Sequence, residues 1–188
     1  MIILGGDIET TGLEPGDHRM VEIYLGHWDL TSRKLVKKFY TRLDPQRSIP
    51  IETQRVHGIS LADVEGCPTW NVVAPRVRDM LDEADVVVGH NWKKFDGPFI
   101  NYELERVGLE PIDKPIVDTM LNGRWATANG AIPNLGALCF ATDIPYDTEK
   151  AHAADYDVGV MMDAFFRGLD WGWFRLPEGM EVARAEAA

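Results

Sequence analysis

The sequence is poor in cysteine and contains no long hydrophobic run. Its 188 residues include two cysteines, Cys67 and Cys139, whose dissimilar contexts indicate reduced thiols rather than a disulfide framework. No apolar run approaches the ~20 residues that a membrane-spanning helix needs, and no charged stretch followed by an apolar core marks a signal peptide. These absences argue against a disulfide-rich secreted domain and predict a cytoplasmic protein that has no membrane partner.

Positive charge is also scarce, because 19 Lys and Arg residues stand against 30 Asp and Glu residues, for a net charge of −11. This balance disfavours tight binding to long duplex DNA, since few phosphates could be neutralised at once. Net charge reports only the average potential, so carboxylates gathered around metal ions could still attract phosphate. Nucleic acid therefore stays among the candidate partners.

Hydrophobic patterning predicts a single α/β domain with a mixed sheet. Alternating apolar residues with short connections are typical of an antiparallel three-stranded meander, and an uninterrupted apolar run that ends in polar residues is typical of a buried parallel strand. We predict strands at 1–8, 20–30, 35–43, 85–91 and 115–118, and helices at 71–83, 96–108, 118–126, 133–141 and 155–169. The domain is expected to span 1–175, followed by a flexible tail at 176–188.

Two carboxylates stand at the end of the first predicted strand, in the sequence Asp7-Ile8-Glu9 followed by Thr-Thr-Gly. Alternate residues of a strand point to the same face, so Asp7 and Glu9 would project side by side. Two adjacent carboxylates repel each other unless a cation lies between them or one takes a proton. The pattern therefore fits either a divalent-metal site or two unremarkable acids at a solvent-facing strand end.

Two further polar segments follow, one after the buried strand and one before the last helix. The first runs from His90-Asn91 to Asp96, where the simplest interpretation of Asp96 is a helix N-cap. The second holds His152 and Asp157, which are five residues apart and cannot share one face of a helix. They can converge if His152 lies in the loop before the helix and Asp157 in its first turns.

The ordered combination of these segments resembles the DEDD exonuclease superfamily. The motifs are D-x-E-T-T-G-L on the first strand, H-N-x-x-x-F-D after the buried strand and H-x4-D at the last helix. They look like the DEDDh branch, typified by the epsilon proofreading subunit of bacterial DNA polymerase III, and the resemblance covers roughly residues 1–168. It implies a ribonuclease H-like fold, in which the antiparallel meander is followed by parallel strands, with helices on both faces.

The resemblance also implies a two-metal site with defined residues. By motif match, His152 is the general base, and two Mg²⁺ or Mn²⁺ ions are held by Asp7, Glu9, Asp96 and Asp157. The family spacing favours Asp157 over Asp155 as the last acid. Hard oxygen ligands of this kind suit both ions.

Substrate contacts are implied in the same way. Thr10 and Thr11, with the backbone amides that follow at Gly12, would hold a terminal 3′-hydroxyl. Leu13 would wedge against the last bases, and Phe95 or Trp92 would stack on one of them. Core packing for Phe95 and a surface position for Trp92 are the alternatives. The remaining candidates, which would contact phosphate or support the metal site, are His57 and Asn91.

The implied function is a metal-dependent 3′→5′ exonuclease that releases nucleoside monophosphates from single-stranded or frayed DNA ends, with a separate DNA polymerase as a candidate partner. An exoribonuclease of the same superfamily is one alternative, since RNA and DNA are distinguished by pocket details. A catalytically silent module that binds nucleic acid is the other alternative.

Overall fold

The centre of the computed structural model, which describes residues 1–180, is a five-stranded sheet. The strands are β1 (Ile2–Thr10), β2 (Met20–Asp29), β3 (Leu35–Arg42), β4 (Val86–Gly89) and β5 (Ile116–Asp118). They lie in the order β3-β2-β1-β4-β5. The first three strands pair antiparallel, and β4 and β5 run parallel to β1. The predicted mixed sheet with its early meander is confirmed.

Helices cover both faces of this sheet. They are α1 (Ile51–His57), α2 (Trp70–Asp82), α3 (Asp96–Arg106), α4 (Leu135–Ala141) and α5 (Ala154–Asp170). Side chains of β1 alternate between two cores, so Leu4 and Ile8 pack with α2 and α3, whereas Ile3 packs with α4 and α5. Among residues 1–180, no helix has the length and apolar character that crossing a membrane requires.

The predicted helix at 118–126 is wrong. Asp118 ends β5, and only a short 3₁₀ turn, Arg124–Ala126, follows in this segment. The buried Asp118 carboxylate accepts hydrogen bonds from the backbone N–H groups of Asn91, Lys93, Met120 and Leu121. A side chain that satisfies nearby backbone donors in this way competes with helix formation.

Helix α1 lies in a segment for which no helix was predicted. It has seven residues, none of them buried, so no apolar stripe marks it in the sequence. Gly58 ends it in the left-handed region, with φ 73°. At the other end of the chain, Leu176 and Met180 of the predicted tail pack partly buried against the core, and residues 181–188 lie outside the described residues.

Trp92 lies in the core rather than at the surface, which corrects its predicted role as a base-stacking platform. Its side chain is 4% exposed and packs among the buried residues between the sheet and helices α2 and α3. Three glycines leave room for the indole, because a Cβ at Gly6, Gly89 or Gly97 would lie within 3.0 Å of Trp92 atoms. An indole enclosed in this way has no free face for a nucleic-acid base.

We predict that Trp92→Ala destabilises the protein by about 3–5 kcal/mol, because it removes a large buried side chain and leaves a cavity. Urea denaturation followed by circular dichroism measures the loss. Trp173→Ala is the matched control, since Trp173 is 51% exposed. Equal unfolding midpoints for the two variants would contradict the core assignment.

Candidate active site

Asp7 and Glu9 lie on the face of β1 that is turned toward α5. The intervening Ile8 points into the opposite core, and the preceding Gly5 lies against Met162 of α5. Glu9 is 9% exposed. The alternation of the strand therefore brings two carboxylates together in a largely buried position.

Asp96 and Asp157 reach the same place from the starts of two helices. Phe95 occupies the N-cap of α3, and Asp96 is the first helical residue. The carboxylate Oδ1 of Asp96 accepts a hydrogen bond from the N–H of Ile8 at 3.1 Å, so Asp96 joins α3 to β1 rather than capping its own helix. In the first turn of α5, Asp157 Oδ2 accepts the N–H of His152 at 2.9 Å.

His152 lies in the loop before α5, the position that allows it to converge with Asp157. Its backbone has φ 64°, in the left-handed region that residues with a side chain seldom adopt. Asn91, which follows β4, has φ 72°. Strained backbone of this kind is often found at functional sites, and here both residues border the carboxylates.

The carboxylates and His152 line a single cleft of about 260 Å³. Five of the proposed substrate-contact residues also line it: Thr10, Gly12, Leu13, His57 and Phe95. Asn91 lies in a neighbouring cleft of about 930 Å³, which shares Asp7, His152 and Asp157 with the first. The structure thus gathers residues from three distant segments of the chain.

Thr11 does not line the cleft, which corrects its predicted contact with a substrate hydroxyl. Its side chain is fully buried. The Oγ1 atom accepts the N–H of Arg19 at 3.1 Å and lies 3.1 Å from His18 Nδ1. Thr11 therefore holds the turn after β1 in shape. Trp92, buried in the core as described above, does not line the cleft either.

Burial and mutual repulsion raise the pKa values of the clustered carboxyl groups. For Asp7 the pKa lies well above its ordinary value, first because of burial and then because of Asp96, Glu9 and Asp157. Burial is also the main cause that raises the pKa of Glu9 to about 8 and that of Asp96 to about 7. A bound cation would relieve this repulsion.

The donor set fits hard divalent cations. It consists of carboxylate oxygens, and Asp157 Oδ1 is buried without a hydrogen-bond partner among residues 1–180. Within that described part, no three His, Cys, Asp or Glu side chains already form a group able to hold a metal ion. Four carboxylates that line one cleft nevertheless offer the oxygen ligands that hard divalent cations such as Mg²⁺ or Mn²⁺ prefer.

Glu22 belongs to this cluster and was not predicted. It lies directly opposite Glu9 in the β1–β2 pairing and is 3% exposed. Its Oε2 accepts hydrogen bonds from Tyr40 Oη at 2.8 Å and Arg42 Nε at 3.1 Å, and its Oε1 accepts the N–H of Ala154 at 3.4 Å. The sequence signal that could have identified Glu22 is its position between the apolar residues Val21 and Ile23, which places it on the other face of the strand.

His90 is a second residue whose role the sequence left undefined. Its Nδ1 lies 3.0 Å from Thr119 Oγ1, and its Nε2 is buried without a partner among residues 1–180. Burial lowers the pKa of His90 to about 4. A neutral imidazole therefore borders both clefts.

Known proteins share the sequence and the fold of this chain. A family model described as Exonuclease matches residues 4–165. The chain belongs to the exonuclease family. Among its relatives, this exonuclease is 32% identical over 160 residues to the PolC-type DNA polymerase III of Ureaplasma parvum, covering 85% of the chain and 11% of that protein. It is 28% identical over 165 residues to the DNA polymerase III subunit epsilon of Rickettsia conorii, covering 85% of the chain and 70% of the subunit.

A solved structure shows the same fold. E. coli exonuclease I in complex with a dT13 oligonucleotide superposes with a TM-score of 0.77 at 17% identity, covering 91% of this exonuclease and 42% of that chain. The resemblance to the DEDD superfamily and the predicted ribonuclease H-like fold are confirmed. The exonuclease spans less than half of exonuclease I and about a tenth of the PolC-type polymerase.

We predict that the metal-free exonuclease loses stability as the pH rises from about 6.5, above which histidines in the unfolded chain are mostly neutral, to about 8. The folded-state pKa values of Glu9 and Asp96 are about 8 and 7, against ordinary values of 4.5 and 3.8. The folded state therefore holds protons that the unfolded state has released, so unfolding becomes easier with rising pH, by on the order of 1–3 kcal/mol. Thermal melts in the presence of a chelator measure this loss.

Addition of Mg²⁺ or Mn²⁺ at pH 8 should restore the lost stability, because an ion that binds only the folded state stabilises it. Asp7→Asn should weaken this restoration by removing one ligand. A metal-free melting temperature that rises between pH 6.5 and pH 8 would contradict the raised pKa values.

We further predict that Glu22→Gln lowers the pKa of Glu9 below about 8, since Glu22 is the charge that raises it most. Burial should still keep the pKa of Glu9 above its ordinary value of 4.5. Carbon-13 NMR of the Glu9 carboxyl group, titrated without metal, measures the change. Glu52→Gln, at an exposed residue of α1, is the control and should leave the titration unaltered.

Proposed function

We propose that this chain is a metal-dependent 3′→5′ exonuclease that releases nucleoside monophosphates from single-stranded or frayed DNA ends. One observation carries the proposal: Asp7, Glu9, Asp96, Asp157 and His152 line a single cleft. Their buried carboxylates repel one another and thereby favour cations. In this proposal the four acids hold two Mg²⁺ or Mn²⁺ ions.

Hydrolysis requires that an attacking water lose a proton and that the leaving 3′ oxygen accept charge. Divalent ions, if held by Asp7, Glu9, Asp96 and Asp157, would supply positive charge for both needs. His152 is exposed at the mouth of the cleft, and a neutral imidazole can accept the proton of water near neutral pH. The hydrogen bond from His152 N–H to Asp157 Oδ2 orients the loop that carries this base.

The turn after β1 supports action at a chain end. Leu13 is 75% exposed beside the cleft, where an apolar side chain can wedge against the last base. Thr10 Oγ1 donates to the carbonyl oxygen of Gly12 at 2.6 Å, which shapes the turn that would hold the 3′-hydroxyl.

The lining of the cleft offers two further contacts. The Phe95 ring stands 5.2 Å from the Phe99 ring and remains partly exposed beside the cleft, where a base can stack. The buried Nε2 of His57 has no partner among residues 1–180, and burial lowers the pKa of His57. We assign phosphate contact or support of the metal ions to His57 and Asn91.

The relatives support DNA as the substrate. The E. coli exonuclease I structure holds a dT13 oligonucleotide, and the epsilon subunit is a component of DNA polymerase III. By this analogy the proposal includes a separate DNA polymerase as a partner and a cytoplasmic location.

The test is a paired digestion of matched DNA and RNA oligomers with labelled 5′ ends, in Mg²⁺ with and without a chelator. We expect stepwise shortening from the 3′ end, faster on DNA and abolished by the chelator. Asp7→Asn should lower kcat on the order of 10²–10³-fold or more, because it removes a ligand of the charged centre.

Asp79→Asn, at an exposed residue of α2, is the matched control and should retain full activity. Faster digestion of RNA would reassign the substrate to the exoribonuclease alternative. Activity that survives Asp7→Asn or the chelator would reject the carboxylate cleft as its source.

A further inference from the structure

A second cleft, of about 420 Å³, lies where the loop after β1, the loop after β3 and the end of α3 meet. Three arginines, Arg19, Arg47 and Arg106, line it, and it shares no residue with the cleft that holds the carboxylates. Arginine is the side chain best suited to bidentate contact with phosphate or carboxylate groups. Three guanidinium groups around one cavity are therefore a candidate anion site.

The charges around this cavity do not cancel. Glu103, which is 1% exposed, pairs with Arg106 at 2.6 Å and lies 3.5 Å from Arg19 Nε. Asp44 is the other carboxylate in the lining, and its Oδ1 accepts the N–H of Gln46 at 2.8 Å. Three guanidinium groups against two carboxylates leave one positive charge in excess, within a chain whose net charge is −11.

The Nε–H group of Arg47 lacks a hydrogen-bond acceptor within the part of the chain that the structure describes. The Nε atom is also buried. A buried donor without a partner is costly, particularly when it is charged. Because Arg47 lines the cavity, an anion bound there would lie beside this guanidinium group and offset the excess charge.

The cavity is coupled to the proposed active site through the turn after β1. Arg19 N–H donates to Thr11 Oγ1 at 3.1 Å, and Thr11 N–H donates to the carbonyl oxygen of Arg19 at 2.8 Å. Leu13 stands in the same turn, beside the carboxylate cleft. An anion beside this turn therefore lies near the place where nucleic acid would be bound.

We propose that Arg19, Arg47 and Arg106 form a phosphate-binding subsite distinct from the carboxylate cleft. The phosphate is either a phosphodiester of the nucleic-acid strand or free inorganic phosphate. Only the strand assignment rests on the proposed function, since phosphate binding itself needs no nuclease activity.

The first arm of the test titrates the protein with inorganic phosphate and follows the arginine Nε–H resonances by NMR. We expect the Arg47 resonance to shift with saturation. In Arg47→Ala the phosphate affinity should fall ~10-fold, the loss expected for one charged hydrogen bond. Arg76→Ala, at an exposed arginine of α2, is the matched control and should bind phosphate as the wild type does.

The second arm measures KM and kcat on a dinucleotide and on longer single-stranded DNA. If the strand supplies the phosphate, Arg47→Ala raises KM on the long substrate ~10-fold with kcat unchanged and reduces the salt slope of binding by about 0.7. A dinucleotide has a single phosphodiester, which the carboxylate cleft takes up in the proposed function, so its KM should be unaffected. Arg47→Lys keeps the positive charge but lacks the paired N–H donors of a guanidinium group. This variant should therefore show the wild-type salt slope and only part of the wild-type affinity.

A phosphate-dependent shift without a change in KM assigns the subsite to free phosphate. Absence of the shift, together with unaltered KM and salt slope in a variant whose melting temperature matches the wild type, overturns the proposal. Absence of nuclease activity would reject the proposed function but leave the phosphate titration able to decide on the subsite.

Discussion

The structure depends on one electrostatic constraint, the burial of several carboxylates together at the carboxyl end of β1. Glu9 and Glu22 face each other directly across the β1–β2 pair, an arrangement in which like charges destabilise a sheet. The fold partly offsets this repulsion with Arg42 Nε and Tyr40 Oη on Glu22. Burial, together with the remaining repulsion, raises the pKa of Glu9 to about 8, a condition that favours cations at the site.

Such a cluster needs a rigid support, and the glycines of β1 allow one. A Cβ at Gly5 would lie 2.8 Å from Met162 Sδ, and a Cβ at Gly6 would lie 2.8 Å from the Trp92 ring. A side chain on each face of the sheet therefore packs against the bare backbone of the central strand. Close packing on both faces limits movement of the strand that carries Asp7, which suits a site whose geometry must be held closely.

The turn after β1 connects two clefts of opposite character. Leu13 of this turn lines the carboxylate cleft, and Arg19 lines the arginine-lined cavity. Thr11, buried between them, bonds to the backbone of Arg19. In the proposed function this arrangement reconciles an acidic chain with a polyanionic substrate, because local charge rather than net charge decides where phosphate binds.

The sequence alone determined the sheet order of the meander, the parallel strand at β4 and the shared face of Asp7 and Glu9, because these features follow from short-range periodicity. Its motif order also indicated the superfamily. Tertiary structure decided two features that the periodicity of the sequence does not show. Trp92 is buried because Gly6, on the distant strand β1, leaves room for its ring, and Glu22 joins the site because strand register places it opposite Glu9. Both outcomes depend on contacts between segments far apart in the chain, which local sequence patterns do not encode.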